Sequence, residues 1–175
     1  MQQPSDHVLR TFASVPYTNR VLNLCCDRYT EPLMRLGFDI QACDTDLGKV
    51  VAARTELADQ LEAEQQIIHV ARREALGYPD AFFDWIIAFD VFDADAEKDE
   101  VIAILTEARR VLKPGGWIYV AHTLEEDEEE VTPELMQAML TAADFAVAEE
   151  PVVADEAGCP IVRGIFRRVE ADTPL

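Results

Sequence analysis

A chain of 175 residues, 49% of them apolar, is enough for one domain with a sizeable core and short for two. Its 34 acidic side chains against 15 basic ones leave a net charge of −19, a surface that repels nucleic-acid phosphates and excludes a role built on backbone contacts to DNA or RNA. No apolar run approaches the roughly 18 residues of a membrane span, and the polar start Met1–Arg10 lacks the apolar core of a signal peptide, so a cytoplasmic protein that does not meet a membrane is expected.

Residues 7–13 suit a short helix. Val21–Leu24 is a short, mostly apolar run and predicts the first strand. Thr30 is a cap candidate for a helix through Leu36, with Gly37 just past its end. Phe38–Cys43 alternates as a second strand, and Asp44, Thr45 and Asp46 then offer caps for a helix running into the 60s. Ile67–Val70 predicts strand three. Trp85–Phe89 is an unbroken apolar run, the mark of a strand buried on both faces. Asp99–Leu112 has helical spacing at Val101, Ile104, Leu105, Ala108 and Leu112, and Lys113-Pro114-Gly115-Gly116 stops it. Trp117–Ala121 is strand five. The acidic run Glu125–Glu130 cannot bury itself and predicts a solvated loop. Thr132-Pro133 opens another helix, threonine as cap and proline in the first helical position. Val147–Val153 and Ile161–Val169 close the chain as two strands joined by a turn around Glu156–Pro160. Strand alternating with helix implies an α/β domain with a mostly parallel sheet covered by helices. The closing helix-strand-turn-strand breaks that rhythm and predicts one antiparallel strand. Residues 1–19 read as an N-terminal segment and 20–170 as the core of a single domain.

The four cysteines, Cys25, Cys26, Cys43 and Cys159, form no CxxC pair and lie near no histidine at metal-ligand spacing, so buried structural thiols are expected. Asp93, Asp95, Glu97 and Asp99 alternate as calcium ligands do, but the sixth position from Asp93, where a sharp-turn glycine is needed, is Lys98. They read instead as a solvated helix entrance. Only Lys49, Lys98 and Lys113 among the bases are lysine. Scarce lysine and abundant acid fit both a protein of high-salt surroundings and an ordinary acidic cytosolic protein.

Several segments, in order, resemble the class I S-adenosylmethionine-dependent methyltransferase family, over residues 20–168. Val21-Leu22-Asn23-Leu24 stands where the family has a V-L-D-L strand, and Arg28-Tyr29-Thr30-Glu31-Pro32-Leu33 is similar to the start of its first helix. Cys43-Asp44 resembles the acid ending strand two. Glu74-Ala75-Leu76-Gly77-Tyr78-Pro79-Asp80 followed by Phe83-Asp84-Trp85-Ile86-Ile87 resembles E-A-L-P-F-P-D and a later F-D-hydrophobic run. Glu107–Gly116, ending Leu112-Lys113-Pro114-Gly115-Gly116, is similar to the family's most recognisable late segment, and Ala142–Phe145 to the A-G-F before strand six. The resemblance implies a Rossmann-like three-layer sandwich, a seven-stranded sheet of order 3-2-1-4-5-7-6 with strand seven antiparallel, and a ligand outside the carboxyl ends of the strands.

It also implies where S-adenosylmethionine would bind. The corresponding positions are Asn23, Cys25, Asp44, Thr45, Glu74, Phe89 and Asp90; no catalytic or metal-ligating residue is assigned. Asp44 matches the acid that binds ribose hydroxyls, and a helix-cap role stays open beside it. Asp90 could act as a base or a substrate anchor, or be a surface acid. Two features depart from the pattern. The family's glycine-rich loop, bare so that backbone can approach the ligand, is here Cys25-Cys26-Asp27-Arg28. Arg72 stands where an acid would accept from the adenine amine, and arginine cannot accept; Arg72 and Arg73 either anchor an anion or lie exposed and pair with acids. These departures point to a methyltransferase-like domain with an eroded S-adenosylmethionine site, a non-catalytic binding or regulatory module that pairs with itself or with an active methyltransferase. The alternative is a small active S-adenosylmethionine-dependent methyltransferase.

Overall fold

The computed structural model describes residues 6–26, 28–59, 63–92, 97–124, 131–156 and 158–170. Asp27, Asp93, Asp95 and the acidic run Glu125–Glu130 lie outside the described residues. In chain order the elements are α1 (His7–Phe12), β1 (Arg20–Asn23), α2 (Thr30–Arg35), β2 (Asp39–Asp44), α3 (Leu47–Glu56), α4 (Ala63–Gln66), β3 (Ile67–His69), β4 (Phe83–Phe89), α5 (Lys98–Val111), β5 (Leu112–Thr123), α6 (Pro133–Ala142), β6 (Phe145–Glu156) and β7 (Cys159–Arg168). The strands form one sheet in the order β3-β2-β1-β4-β5-β7-β6. β1 to β5 pair in parallel, and β7 runs antiparallel to both neighbours. The α/β class is as the strand–helix alternation predicts, and the strand order and antiparallel strand seven are as the family resemblance implies.

Alternation along the strands divides the core in two. Trp85, Ile87 and Phe89 of β4 face one side with Val21, Ile40, Ala42, Ile67 and Tyr119, where α1 (Val8, Phe12), α2 (Leu33, Met34) and Val50 of α3 cover them. Ile86 and Ala88 face the other side with Leu22, Ile118 and Val120, under Ile104, Leu105 and Ala108 of α5 and Met136 and Leu140 of α6. Both faces of the central strands are therefore dry, which is why β4 reads as a continuous apolar run.

Local structure departs from the sequence reading in three places. Thr30 is the first helical residue of α2, and Tyr29 is its cap, without a side-chain bond. α3 ends at Glu56 well before the 60s: Val50 is its buried residue, so it has too narrow an apolar face to hold a longer helix on the sheet. Asp46, among the three cap candidates, accepts from the Gly48 and Lys49 N–H groups. Lys113–Gly116 is the start of β5, bulged so that Phe83 pairs with Leu112 and Trp85 with Trp117. Gly115 sits at φ +72°, and a Cβ on Gly116 would lie 2.8 Å from the Lys113 carbonyl oxygen. The bulge requires both glycines.

Candidate functional site

β1 turns one way to β2 and the other to β4, so a crevice opens where the strand order reverses. It holds a cavity of about 490 Å³. Cys25, Cys26, Arg28 and Tyr29 form its wall after β1, and Lys49 of α3 and Arg73 after β3 stand on a second side. Phe89 and Asp90 at the end of β4, Thr123 ending β5, and Cys159 and Ile161 of β7 complete it. A volume of this size suits a small molecule.

Asp44 lies beneath the loop, 1% exposed. Its Oδ2 accepts from the Cys26 N–H at 3.1 Å and its Oδ1 from the Asp46 N–H at 2.9 Å. The carboxylate thus fastens the turn after β1 to the start of α3. Asn23 does similar work one strand away: fully buried, it donates from Nδ2 to Thr30 Oγ1 at 3.2 Å and sets its Oδ1 3.5 Å from the Cys25 nitrogen. Thr30 is buried for this reason. Among the described residues, the turn after β1 presents side chains that line the cavity and backbone tied to Asp44.

A family model described as "Methyltransferase domain" matches residues 22–120, more than half of the chain. The chain belongs to this methyltransferase family. It is 29% identical over 147 residues to a probable methyltransferase, ltbC, of Aspergillus luteorubrus, covering 83% of this chain and 51% of that protein. This methyltransferase domain therefore spans about half the length of the curated relative it matches. Among solved structures it is similar to an S-adenosylmethionine-dependent methyltransferase from Methanosarcina mazei, at a TM-score of 0.75 and 14% identity, covering 95% of this chain and 99% of that one. It is also similar to the 1,6-didemethyltoxoflavin N1-methyltransferase of Burkholderia thailandensis, solved with bound 1,6-didemethyltoxoflavin and S-adenosylhomocysteine, at a TM-score of 0.69 and 16% identity, with coverages of 93% and 76%. At these identities the structures show the shared fold.

Of the seven positions singled out in the sequence, the methyltransferase domain brings Cys25, Phe89 and Asp90 to the cavity. Asn23 and Asp44 support the loop from beneath. Thr45 is exposed, its carbonyl oxygen 3.1 Å from His69 Nε2, and Glu74 faces Arg72 at 3.6 Å; neither lines the cavity. Asp90 takes the left-handed conformation, φ +49°, a strain that aspartate tolerates better than most residues. Its Oδ1 accepts from the Thr123 N–H at 2.7 Å and lies 3.4 Å from His122 Nδ1. Arg72 is exposed, as pairing with acids implies, whereas Arg73 is half-buried in the cavity wall.

The cysteines are not uniformly buried. Cys25 and Cys43 are buried and Cys26 half-buried, but Cys159 is exposed because it opens β7 at the tip of the β6–β7 hairpin. Burial pushes the Cys43 thiol up to about 12. Tyr29, at the cavity wall, receives a hydrogen bond on Oη from Arg28 Nη2 at 2.8 Å. Behind it Glu156, 7% exposed, lies 3.5 Å from Arg163 Nε and 3.9 Å from Arg28 Nη2. Burial raises the Glu156 carboxyl above its ordinary value. Sequence reasoning missed Tyr29, Lys49, Thr123, Cys159 and Ile161 as cavity residues; only the order of strands, which sets β7 beside β5, could have pointed to the last two.

Proposed function

We propose that this methyltransferase domain is a non-catalytic binding or regulatory module whose S-adenosylmethionine site has eroded. One observation carries the reading: the Asp44 carboxylate is buried, and each of its oxygens already receives a backbone N–H, one of them from the loop itself. Ribose hydroxyls need an acid they can reach, and the residues present do not offer one there. The glycine-free turn supports the same reading, because Cys25 and Cys26 put side chains where close backbone approach requires none. No chemical step is therefore assigned through S-adenosylmethionine. A module of this kind works through a partner, either a second copy or an active methyltransferase; Leu47 and Val51, one turn apart on α3 and more than half exposed, are apolar side chains suited to such contact. The second reading, a small active methyltransferase, draws on the cavity itself, which is large enough for a cofactor-sized molecule.

Isothermal titration with S-adenosylmethionine and S-adenosylhomocysteine tests the choice. The module reading expects no saturable heat and no thermal shift at millimolar concentration. A binding isotherm in the micromolar range would overturn it and leave the enzyme reading in its place.

A further inference from the structure

We propose that the cavity receives a small ligand bearing an anionic oxyanion head, carboxylate or phosphate monoester, on an apolar body, and that Arg73 and Lys49 hold the head. The inference goes beyond the module reading by giving the cavity a ligand and assigning that ligand's charge.

The charge of the cavity wall is opposite to that of the molecule. Acids outnumber bases 34 to 15 in the chain, yet among the described residues the cavity is lined by Arg28, Lys49 and Arg73 against one acid, Asp90. Asp90 is engaged elsewhere, accepting from the Thr123 N–H at 2.7 Å with His122 Nδ1 3.4 Å away. Asp44 is buried below the loop and holds two backbone N–H groups. Neither acid forms an ion pair with Lys49 or Arg73 among the described residues.

The three cations differ in how far their charge is answered within the chain. Arg28 has Tyr29 Oη at 2.8 Å, the Tyr29 ring at 5.0 Å and Glu156 at 3.9 Å. Lys49 and Arg73 have no ion-pair partner among the described residues. Arg73 is half-buried, and its Nε is buried without a hydrogen-bond partner. Its neighbour Arg72, outside the cavity, does have an acid, Glu74 at 3.6 Å. A half-buried guanidinium without a counter-ion is unfavourable, and a chain this rich in acid has the means to supply one. The counter-ion is supplied from outside.

Arginine's planar fork matches a carboxylate or a phosphate, and lysine adds a compact second charge. Phe89 and Ile161 give the cavity an apolar surface for the body of the ligand. A polyanionic macromolecule is repelled by the chain's overall net charge of −19. S-adenosylmethionine carries a sulfonium and an ammonium against one carboxylate, a net charge of the wrong sign for this wall.

Calorimetry at 50 mM NaCl with phenyl phosphate, phenylacetate and the neutral benzyl alcohol tests the proposal. At least one of the two anions is expected to bind saturably, and benzyl alcohol is not. The anion that binds identifies the head group as phosphate or carboxylate. Arg73→Gln is expected to weaken that binding about ten-fold and Lys49→Gln by about three-fold, while Arg72→Gln leaves it unchanged. Lys49 is exposed, so its variant keeps the test valid if Arg73→Gln fails to fold. The proposal is overturned if neither anion binds at millimolar concentration, if benzyl alcohol binds as tightly as the anions, or if the Lys49 and Arg73 variants bind like the parent. S-adenosylmethionine titrated into the same samples bears on the module reading alone, so the two can fail separately.

Discussion

Asp44, which the family resemblance marks as a ligand-binding acid, performs a structural task in the fold, holding two backbone N–H groups. Removing its carboxylate in Asp44→Ala takes the acceptor from the Cys26 and Asp46 N–H groups and is expected to destabilise the fold by about 2–3 kcal/mol in urea denaturation. An unchanged midpoint would show that the turn after β1 does not depend on it. Glu156 gives a pH-dependent test. Its folded pKa lies above the unfolded value, so its contribution to stability is full below the ordinary carboxylate range and is lost as pH rises through the raised value. Glu156→Gln cannot ionise. Its Tm relative to the parent is therefore expected to climb between pH 4 and pH 8; a constant or falling difference would sink the argument. Neither role is written in the sequence around these residues. Asp44 follows a strand as a ligand-binding acid would, and the backbone groups that engage it come from 18 residues upstream and two downstream.

At the scale of elements, the strands and most helix starts were legible because their signals are local. Alternation in β2, the apolar run of β4, and the Thr132-Pro133 start of α6 each need only neighbouring residues. Thr132 accepts from the Leu135 N–H at 3.1 Å, and Thr132→Ala is expected to lower stability by about 1 kcal/mol, measured by thermal unfolding. The Lys113–Gly116 segment shows the limit of local reading. Proline and glycines mark a break in the helix, but whether loop or bulged strand follows depends on the pairing partner, here β4. In Gly116→Ala the new Cβ meets the Lys113 carbonyl oxygen and the Leu112 side chain, both closer than 3.0 Å. A loss of about 1–3 kcal/mol is expected, and a variant as stable as the parent would mean that the bulge can shift freely. The cavity was the least legible feature, because its wall is assembled from segments that meet only when the sheet closes; Lys49 and Cys159 are 110 positions apart.

At the scale of the whole molecule, the net charge of −19 acts on every surface at once. Self-repulsion of this kind weakens as the Debye length falls from about 10 Å at 0.1 M salt to about 3 Å at 1 M. The Tm is expected to rise by about 5 °C over that range of NaCl, and a flat or falling Tm would remove charge repulsion as a force that matters to this fold. The sheet's outer edge is managed by the same means. β6 is twelve residues long with one side unpaired, and it carries Glu149, Glu150, Asp155 and Pro151, residues that discourage pairing with a second edge. The position of Cys159 has a practical consequence. It is the exposed thiol among four, on the rim of the cavity, while Cys43 lies fully buried with its thiol held protonated. A maleimide dye coupled there would stand at the entrance like a doorbell, its emission changing when a guest arrives, and would turn the search for that guest into an optical screen.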